Sequence, residues 1–340
     1  MKQDSPNLDL LRAFAVVLVV LSHMPDVLGW NWNTWSMGRV GVGLFFVHTT
    51  LVLMQSLERT GPAAVPFYVR RIFRIYPLSM ATVLVMAAIM WLGNKPLSMA
   101  EFASNLLLLQ QATGHWPYPP QLWTLPYELE MYLLLPAIYA FTRAGRSMPR
   151  VALLYALALA LGLVLWAHSN EKVYSLSFIP CFLPGVVAFA LARRVRAIFS
   201  PWVLAGVVLA CSVALPPLVW AGCNETALLW AMCLLVGITI PFCRDVTHAW
   251  LAAVGRTVAT HSYGIYLTHV IVIGLTVATP GPWWGRWPAF VFFQFAIAFI
   301  AYRRIEAPGI RLGKLLSTRF ERERAVRGLR LTRDSPQGGG

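Results

Sequence analysis

The chain has 340 residues, of which 58% are hydrophobic and only 12% are charged, whereas a soluble domain is about a quarter charged. The composition therefore excludes an ordinary soluble protein and indicates an all-α, polytopic protein that crosses the lipid bilayer. The net charge of +14 does not indicate a nucleic-acid partner, because the arginines stand between apolar segments and not on a soluble domain.

Ten apolar segments reach or approach the length of about 20 residues that crosses a bilayer as a helix. The segment Glu101–Gln111 is also apolar but too short to cross, so we expect it to be re-entrant or interfacial. The ten predicted transmembrane helices lie at about 8–26, 40–57, 77–93, 121–142, 150–167, 175–192, 201–220, 226–243, 260–279 and 284–302.

The basic residues indicate which side of the membrane each loop faces. If the first segment starts in the cytoplasm, the outer loops carry only Arg39, Lys95, Lys172 and Arg286. All other basic residues fall on inner loops and tails, except Arg12, which lies within the first segment. Because cytoplasmic loops carry the excess of lysine and arginine, both termini are predicted to be cytoplasmic, in the inner or plasma membrane of the cell.

The rest of the sequence predicts no soluble second domain, metal site or disulfide. Residues 1–312 form one transmembrane domain, and residues 313–340 form a basic cytoplasmic tail, which we expect to be disordered from about Glu321. The five cysteines lie within or beside apolar segments, without a CxxC pattern or a metal-ligand spacing, so we expect them to be buried thiols.

The first apolar segment, LDLLRAFAVVLVVLSHM, carries two residues that are unfavourable in a bilayer. A charged group at the centre of a membrane helix costs about 2.5–3.5 kcal/mol even on insertion scales. Arg12 and His23 are 11 residues apart, or about three helical turns, so both point to one face with about 16 Å between them. Two interpretations stay open: a functional pair in a cavity, or an arginine that snorkels to the inner headgroups and a histidine that caps the outer end.

The segment FYVRRIFRIYP, Phe67–Pro77, stands just before the third predicted span. Arg71 and Arg74 are three residues apart and share one face if the segment is helical, with Arg70 beside them. The positive-inside rule explains most arginine clusters, but the interleaved aromatic residues here indicate an amphipathic segment on the inner surface. Guanidinium groups at that place suit phosphates, because their planar fork binds such oxygens in a bidentate manner.

The fourth predicted span, which includes WTLPYELEMYLLLP, places two carboxylates at membrane depth. Glu128 and Glu130 are two residues apart and cannot share a helix face, so one of them can line a cavity. A carboxylate within the membrane is a functional candidate by default, and it can orient a neighbouring imidazole or accept its proton.

Histidines and a further glutamate accompany the last two spans. THSYGIYLTHV contains His261 and His269, and a lone histidine in a helix is more often structural than catalytic. YRRIEAP ends the last span, and there Glu306 is expected to pair with Arg303 or Arg304 and to have no enzymatic role.

Over nearly its whole length, the chain resembles the membrane-bound acyltransferase type 3 family. The first segment is similar to that family's opening span, in which ten residues separate an arginine from a histidine. Gly43 stands where the family usually has aspartate, so no role is carried over from that stretch. The other matching elements, in order, are GVGLFFVHTTL, the RxxR of Arg71 and Arg74, WTLPYELEMYLLLP with the family glutamate at Glu128, SYGIYLTH at Ser262–His269, and IEAP.

The resemblance implies an O-acyltransferase. Such enzymes move an acyl group, most often acetyl, from acetyl-CoA or another acyl-CoA to a sugar hydroxyl of a surface polysaccharide, an exopolysaccharide or a glycosylated metabolite. His23 would then be catalytic, as a general base or as a nucleophile, and Glu128 would orient or charge-balance its imidazole. The donor would bind at Arg12, Arg71 and Arg74, and His269 and Arg70 are further candidates.

A proton- or anion-coupled transporter is the alternative. Arg12, His23 and Glu128 would then form an ion relay within the membrane. The sequence shows neither repeated sets of spans nor pairs of spans broken by glycine and proline, which transporters often contain. The acyltransferase is therefore the preferred interpretation.

Overall fold

The computed structural model describes residues 5–24, 35–61, 64–168, 178–278 and 282–333. Within these ranges the regular structure is helical, apart from one isolated parallel bridge between Phe199 and Cys243, and the predicted all-α class is confirmed. Short 3₁₀ turns cover Pro120–Thr124 and Ile240–Phe242, and a π-helical turn, Tyr302–Glu306, joins the last two helices. The helices are α1 Pro6–Ser22, α2 Trp35–Thr60, α3 Ala64–Leu92, α4 Met99–Leu106, α5 Gln110–Thr113, α6 Leu125–Phe141, α7 Met148–His168, α8 Ile179–Leu191, α9 Pro201–Trp220, α10 Glu225–Thr239, α11 Ala249–Ala278, α12 Trp283–Ala301 and α13 Ala307–Arg333.

Seven helical stretches in the described part of the chain are long and apolar enough to cross a membrane, as expected of a multi-pass membrane protein. They comprise α2, α3, α7, α9, α10, α11, and α12 together with the start of α13. The other three predicted spans also fall on apolar helices, but α1, α6 and α8 have only 17, 17 and 13 residues. Ten crossings and two cytoplasmic ends therefore stay predictions. The apolar segment Glu101–Gln111 forms parts of the two short helices α4 and α5.

Several elements begin or end elsewhere than the sequence predicted. α3 begins at Ala64 and not near residue 77, so the arginine-rich segment and the third span form one helix that continues through Pro77. α11 begins at Ala249, well before residue 260. α13 is helical to Arg333, where the sequence predicted a disordered tail, because its many leucine, arginine and glutamate residues are strong helix formers. Residues 25–26, 175–177 and 334–340, which those predictions also covered, lie outside the described ranges.

α2 lies at the centre of the bundle and packs against α1, α8 and α10. Glycines allow the closest of these approaches, as small residues commonly do between membrane helices. A Cβ on Gly41 of α2 would lie 2.6 Å from the carbonyl oxygen of Ala15 in α1. A Cβ on Gly185 of α8 would lie 2.5 Å from the carbonyl oxygen of Val47. α7 and α9 lie farther out and expose large apolar side chains, as helices that face lipid do.

We expect Gly41→Ala to lower the thermal unfolding midpoint of the purified protein. The added methyl group would collide with the Ala15 carbonyl, which cannot move without α1, and such overpacking costs about 1–3 kcal/mol. Gly206→Ala in α9 is the matched control, because nothing lies within 4 Å of a Cβ at that position. Equal midpoints for the two variants would contradict the close packing of α1 on α2.

The last helix packs along the arginine-rich part of α3. Pro77 has no N–H group, so the carbonyl of Phe73, four residues earlier, loses its usual helical donor. Gly309 of α13 faces this carbonyl, and a Cβ there would lie 2.6 Å from its oxygen. Gly313, one turn later on the same face, would place a Cβ 2.7 Å from the Cβ of Phe73. α13 therefore holds the arginine-rich segment firmly from one side.

Candidate active site

Four helices and the 3₁₀ turn before α6 line a cavity of about 50 Å³ beside Arg12, which is room for a few water molecules. Arg12 of α1 donates through Nε to the hydroxyl oxygen of Ser262 in α11, at 2.6 Å. Glu128 enters from α6, and Thr49 of α2 donates to its Oε1 at 3.4 Å. The remaining lining residues are Val42, Phe45, Phe46, Thr124, Leu125, Tyr263 and Tyr266.

Glu128 is the carboxylate of α6 that faces inward. It lines the Arg12 cavity, whereas Glu130 is exposed on the outside of the helix bundle. Their spacing of two residues places them on different faces of α6. Electrostatic interactions link Glu128 to Arg12 and Arg74, and Tyr132 lies one turn later on the same helix. Glu128 was expected to orient the imidazole of His23, but the structure places it among guanidinium groups.

The three arginines of α3 do not all face the Arg12 cavity. Arg71 and Arg74 approach Arg12 and Glu128, and the Nε of Arg71 is buried with no hydrogen-bond partner in the described structure. Arg70 faces α13 instead, where its Nη1 donates to Ser317 at 3.3 Å and to Glu321 at 3.0 Å. The structure therefore gathers Arg12, Arg71 and Arg74 into one largely buried cluster, in which Arg74 is partly exposed, and it leaves Arg70 in a contact between helices.

His23 stands at the C-terminal end of α1, where its backbone N–H donates to the carbonyl of Val20 at 3.0 Å. Its ring Nδ1 lies 2.9 Å from the carbonyl oxygen of Val19. Because a carbonyl can only accept, we assign the proton to Nδ1, so that Nε2 carries the lone pair that a base or a nucleophile needs. The Val19 carbonyl thus helps to orient this imidazole.

His269 of α11 lies directly beside His23. The two ring centroids are 4.9 Å apart and the rings meet edge to face, at 69°. Nδ1 of His269 donates to the carbonyl of Tyr266 at 2.6 Å, and its Nε2 is buried with no hydrogen-bond partner among the described residues. The sequence favoured a structural role for this histidine, but the structure makes it the immediate neighbour of the proposed catalytic one.

Arg12 and His23 line adjoining cavities rather than a single one. His23 lines a pocket of about 20 Å³ together with residues that include Arg39, Gln121 and Trp123. Val42 and Tyr266 line both this pocket and the Arg12 cavity, so they form the wall between the two. The sequence predicted one face for Arg12 and His23; both do point into the bundle, on the two sides of that wall.

Sequence reasoning missed several polar residues that build this wall. The hydroxyl group of Tyr266 donates to the backbone carbonyl of Gln121 at 2.8 Å and lies 2.7 Å from the Thr124 hydroxyl. The Gln121 side chain in turn donates to the carbonyl of Leu267 at 2.6 Å. These contacts tie α11 to the start of α6. The SYGIYLTH element did point to Tyr266, but only as part of a motif without an assigned role.

The expected partners of Glu306 were wrong. Arg303 and Arg304 are exposed on the outside of the π-helical turn, whereas Glu306 is buried and faces Arg74 of α3, with 3.7 Å between Oε1 and Nη2. His48 follows Gly43, the position at which the family usually has aspartate, and it is also buried near Arg12 and Arg74. Gly43 itself faces α10, where a Cβ would lie 2.9 Å from both Cys233 and Leu229. An aspartate at that position would therefore meet an apolar wall.

The fold and site together define a helical membrane protein with a histidine pair adjoining a buried cluster of guanidinium and carboxylate groups. Residues 5–303 match the acyltransferase domain that defines the acyltransferase 3 family, so the chain belongs to this family and the resemblance of its motifs is confirmed. Nodulation protein 10 of Rhizobium leguminosarum bv. viciae is 26% identical to it over 92% of this chain and 95% of that protein. Peptidoglycan O-acetyltransferase OatA of Listeria monocytogenes serovar 1/2a is 24% identical over 89% of this chain, which spans 55% of that protein. No solved structure gives a significant match.

Proposed function

We propose that this acyltransferase moves an acyl group, acetyl in the first instance, from cytosolic acyl-CoA to a hydroxyl group of a sugar. The acceptor would belong to a surface polysaccharide, an exopolysaccharide or a glycosylated metabolite. One observation carries the proposal: the arginine cluster and the histidine pair, which suit the two substrates of such a reaction, line adjoining cavities. Family membership and the similarity to the O-acetyltransferase of Listeria support acyl transfer to oxygen.

The arginine cluster suits the donor. Coenzyme A carries several phosphate charges, and a planar guanidinium binds such oxygens with two parallel hydrogen bonds. Arg71 and Arg74 would bind these phosphates, with Arg12 nearer the thioester, and Glu128 would balance part of their charge. The helical rise between Arg12 and His23 is about 16 Å, comparable with the reach of the pantetheine arm. A bound thioester would have to pass the wall of Val42 and Tyr266 to reach His23.

His23 would perform the chemistry with its Nε2 lone pair, in one of two ways. As a general base, Nε2 takes the proton from the sugar hydroxyl while the oxygen attacks the thioester carbonyl, and the departing CoA thiolate then receives a proton. As a nucleophile, Nε2 attacks the carbonyl first, CoA leaves, and the sugar oxygen takes the acyl group from the imidazole. His269 would assist as the neighbouring imidazole that shares the desolvated site.

Donor binding by the purified protein tests this function. We expect CoA and acetyl-CoA to bind saturably in nanodiscs, with an affinity that falls as salt is raised, because the contacts are ionic. Labelled acetyl-CoA should then pass its acetyl group to a glycan acceptor. Acetyl phosphate serves as the competing donor, and transfer from it by a protein that does not bind CoA would contradict the proposal. Proton or anion flux into proteoliposomes without CoA would instead favour the transporter.

A further inference from the structure

A buried carboxylate lies against the arginine cluster and has no role in the mechanism above. The side chain of Glu306 is 0% exposed, and neither of its oxygens has a hydrogen-bond partner in the described structure. Its ion-pair contact is with Arg74, whose Nη2 lies 3.7 Å from Oε1, beyond the usual range of a hydrogen bond. A buried carboxylate without hydrogen bonds is costly, so this one needs an explanation.

The local backbone holds Glu306 in that position. The π-helical turn Tyr302–Glu306 interrupts the helical register between α12 and α13, and such turns occur frequently at functional sites. On its far side, Gly309 and Gly313 bring α13 into contact with Phe73, which immediately precedes Arg74 in α3. This packing keeps the backbone of Glu306 beside Arg74.

The contact balances charge and does not orient the guanidinium. A carboxylate that fixes an arginine makes two short parallel hydrogen bonds, and this pair makes none. The other titratable and charged groups that face Glu306 are Arg12 of α1 and His261 and Tyr263 of α11. Arg74 is 28% exposed, so an incoming anion can reach its guanidinium while Glu306 stays buried behind it.

We infer that Glu306 is a displaceable counter-ion of the donor site. In the empty site it neutralises Arg74, and a phosphate of the donor takes over that guanidinium when it binds. The carboxylate then loses its ion-pair partner to the phosphate while it stays buried, so it takes up one proton from solvent and becomes a carboxylic acid. Glu306 thus competes with the donor for Arg74, which weakens binding of CoA and favours release of the CoA product. This inference rests on the proposed function, because it requires a phosphate-bearing donor at Arg74.

Calorimetric titration of the full-length protein with CoA, in two buffers of different ionisation enthalpy at pH 7, tests the inference. The neutral variant Glu306→Gln should bind CoA about tenfold more tightly than wild type, since no counter-ion competes for Arg74. It should also take up fewer protons on binding, by up to one per site. Glu321→Gln is the matched control. It removes a carboxylate of α13 that is bonded to Arg70, a neighbour of Arg74 in α3, and should change neither quantity.

A second variant protects the test if Glu306→Gln does not fold. Arg74→Gln removes the ion-pair partner of Glu306 before CoA binds. CoA binding to this variant should therefore take up as few protons as binding to Glu306→Gln. Unchanged proton uptake in the variant that folds, or CoA binding by Glu306→Gln that equals or falls below wild type, would overturn the inference while leaving the proposed function standing. Wild-type protein that does not bind CoA would overturn both.

Discussion

Replacing His23 by alanine is expected to reduce acyl transfer by about 10²–10⁴-fold, the usual contribution of a positioned acid–base group. The loss follows from the Nε2 lone pair, which the Nδ1 contact with the Val19 carbonyl directs away from the backbone of α1. CoA affinity should stay within about twofold of wild type, because the arginine cluster lies on the other side of the wall formed by Val42 and Tyr266. Turnover of labelled acetyl-CoA and CoA calorimetry measure the two quantities separately.

His248→Ala is the matched control for this variant. His248 is exposed and stands beside Trp202, away from both cavities, so its removal should leave turnover unchanged.

An experiment on the wild-type protein distinguishes the two roles of His23. Wild type incubated with labelled acetyl-CoA and no acceptor should retain label on His23 if the histidine is the nucleophile, and should stay unlabelled if it is a general base. Turnover of His23→Ala near the wild-type rate would exclude both roles.

Helical periodicity explains which parts of this site the sequence could predict. Arg12 and His23 point into the bundle because eleven residues make about three turns, and Glu128 faces inward while Glu130 does not because they are two residues apart. Each of these predictions needs only one helix. The shared cavity expected for Arg12 and His23 depends on how the helices pack, and there the structure separates them with Val42 and Tyr266.

Contacts between helices explain what the sequence could not predict. His269 contacts His23 because α11 packs beside α1. The two histidines are 246 positions apart, so nothing in the sequence indicates that they are neighbours. Glu306 faces Arg74 and not its sequence neighbours, because a π-helical turn changes the helical register. The residue types in YRRIEAP do not predict such a turn. The close approach of Gly309 to α3 at Pro77 likewise joins two segments that are far apart in the sequence.

Removing either Arg71 or Arg74 is expected to weaken CoA binding by about ten- to a hundredfold. Hydrogen bonds to charged groups contribute about 1.5–3 kcal/mol, and 1.4 kcal/mol corresponds to a factor of ten. Both guanidinium groups interact with Glu128 at the Arg12 cavity, and the unpartnered Nε of Arg71 leaves a donor available for a ligand oxygen. CoA calorimetry at low and high salt measures the loss, which should shrink as salt screens the remaining ionic contacts.

Arg70→Ala provides the sharpest comparison, because it removes the same charge one residue away from Arg71. Its guanidinium donates to Thr60 and to Ser317 and Glu321 of α13, so the variant should loosen a contact between helices and lower the unfolding midpoint while CoA affinity changes by less than about threefold. A general attraction of anions to a basic surface would instead make the three variants equal. Equal losses of CoA affinity at all three positions would therefore contradict a donor site at Arg71 and Arg74, because only a defined site distinguishes adjacent arginines on one helix.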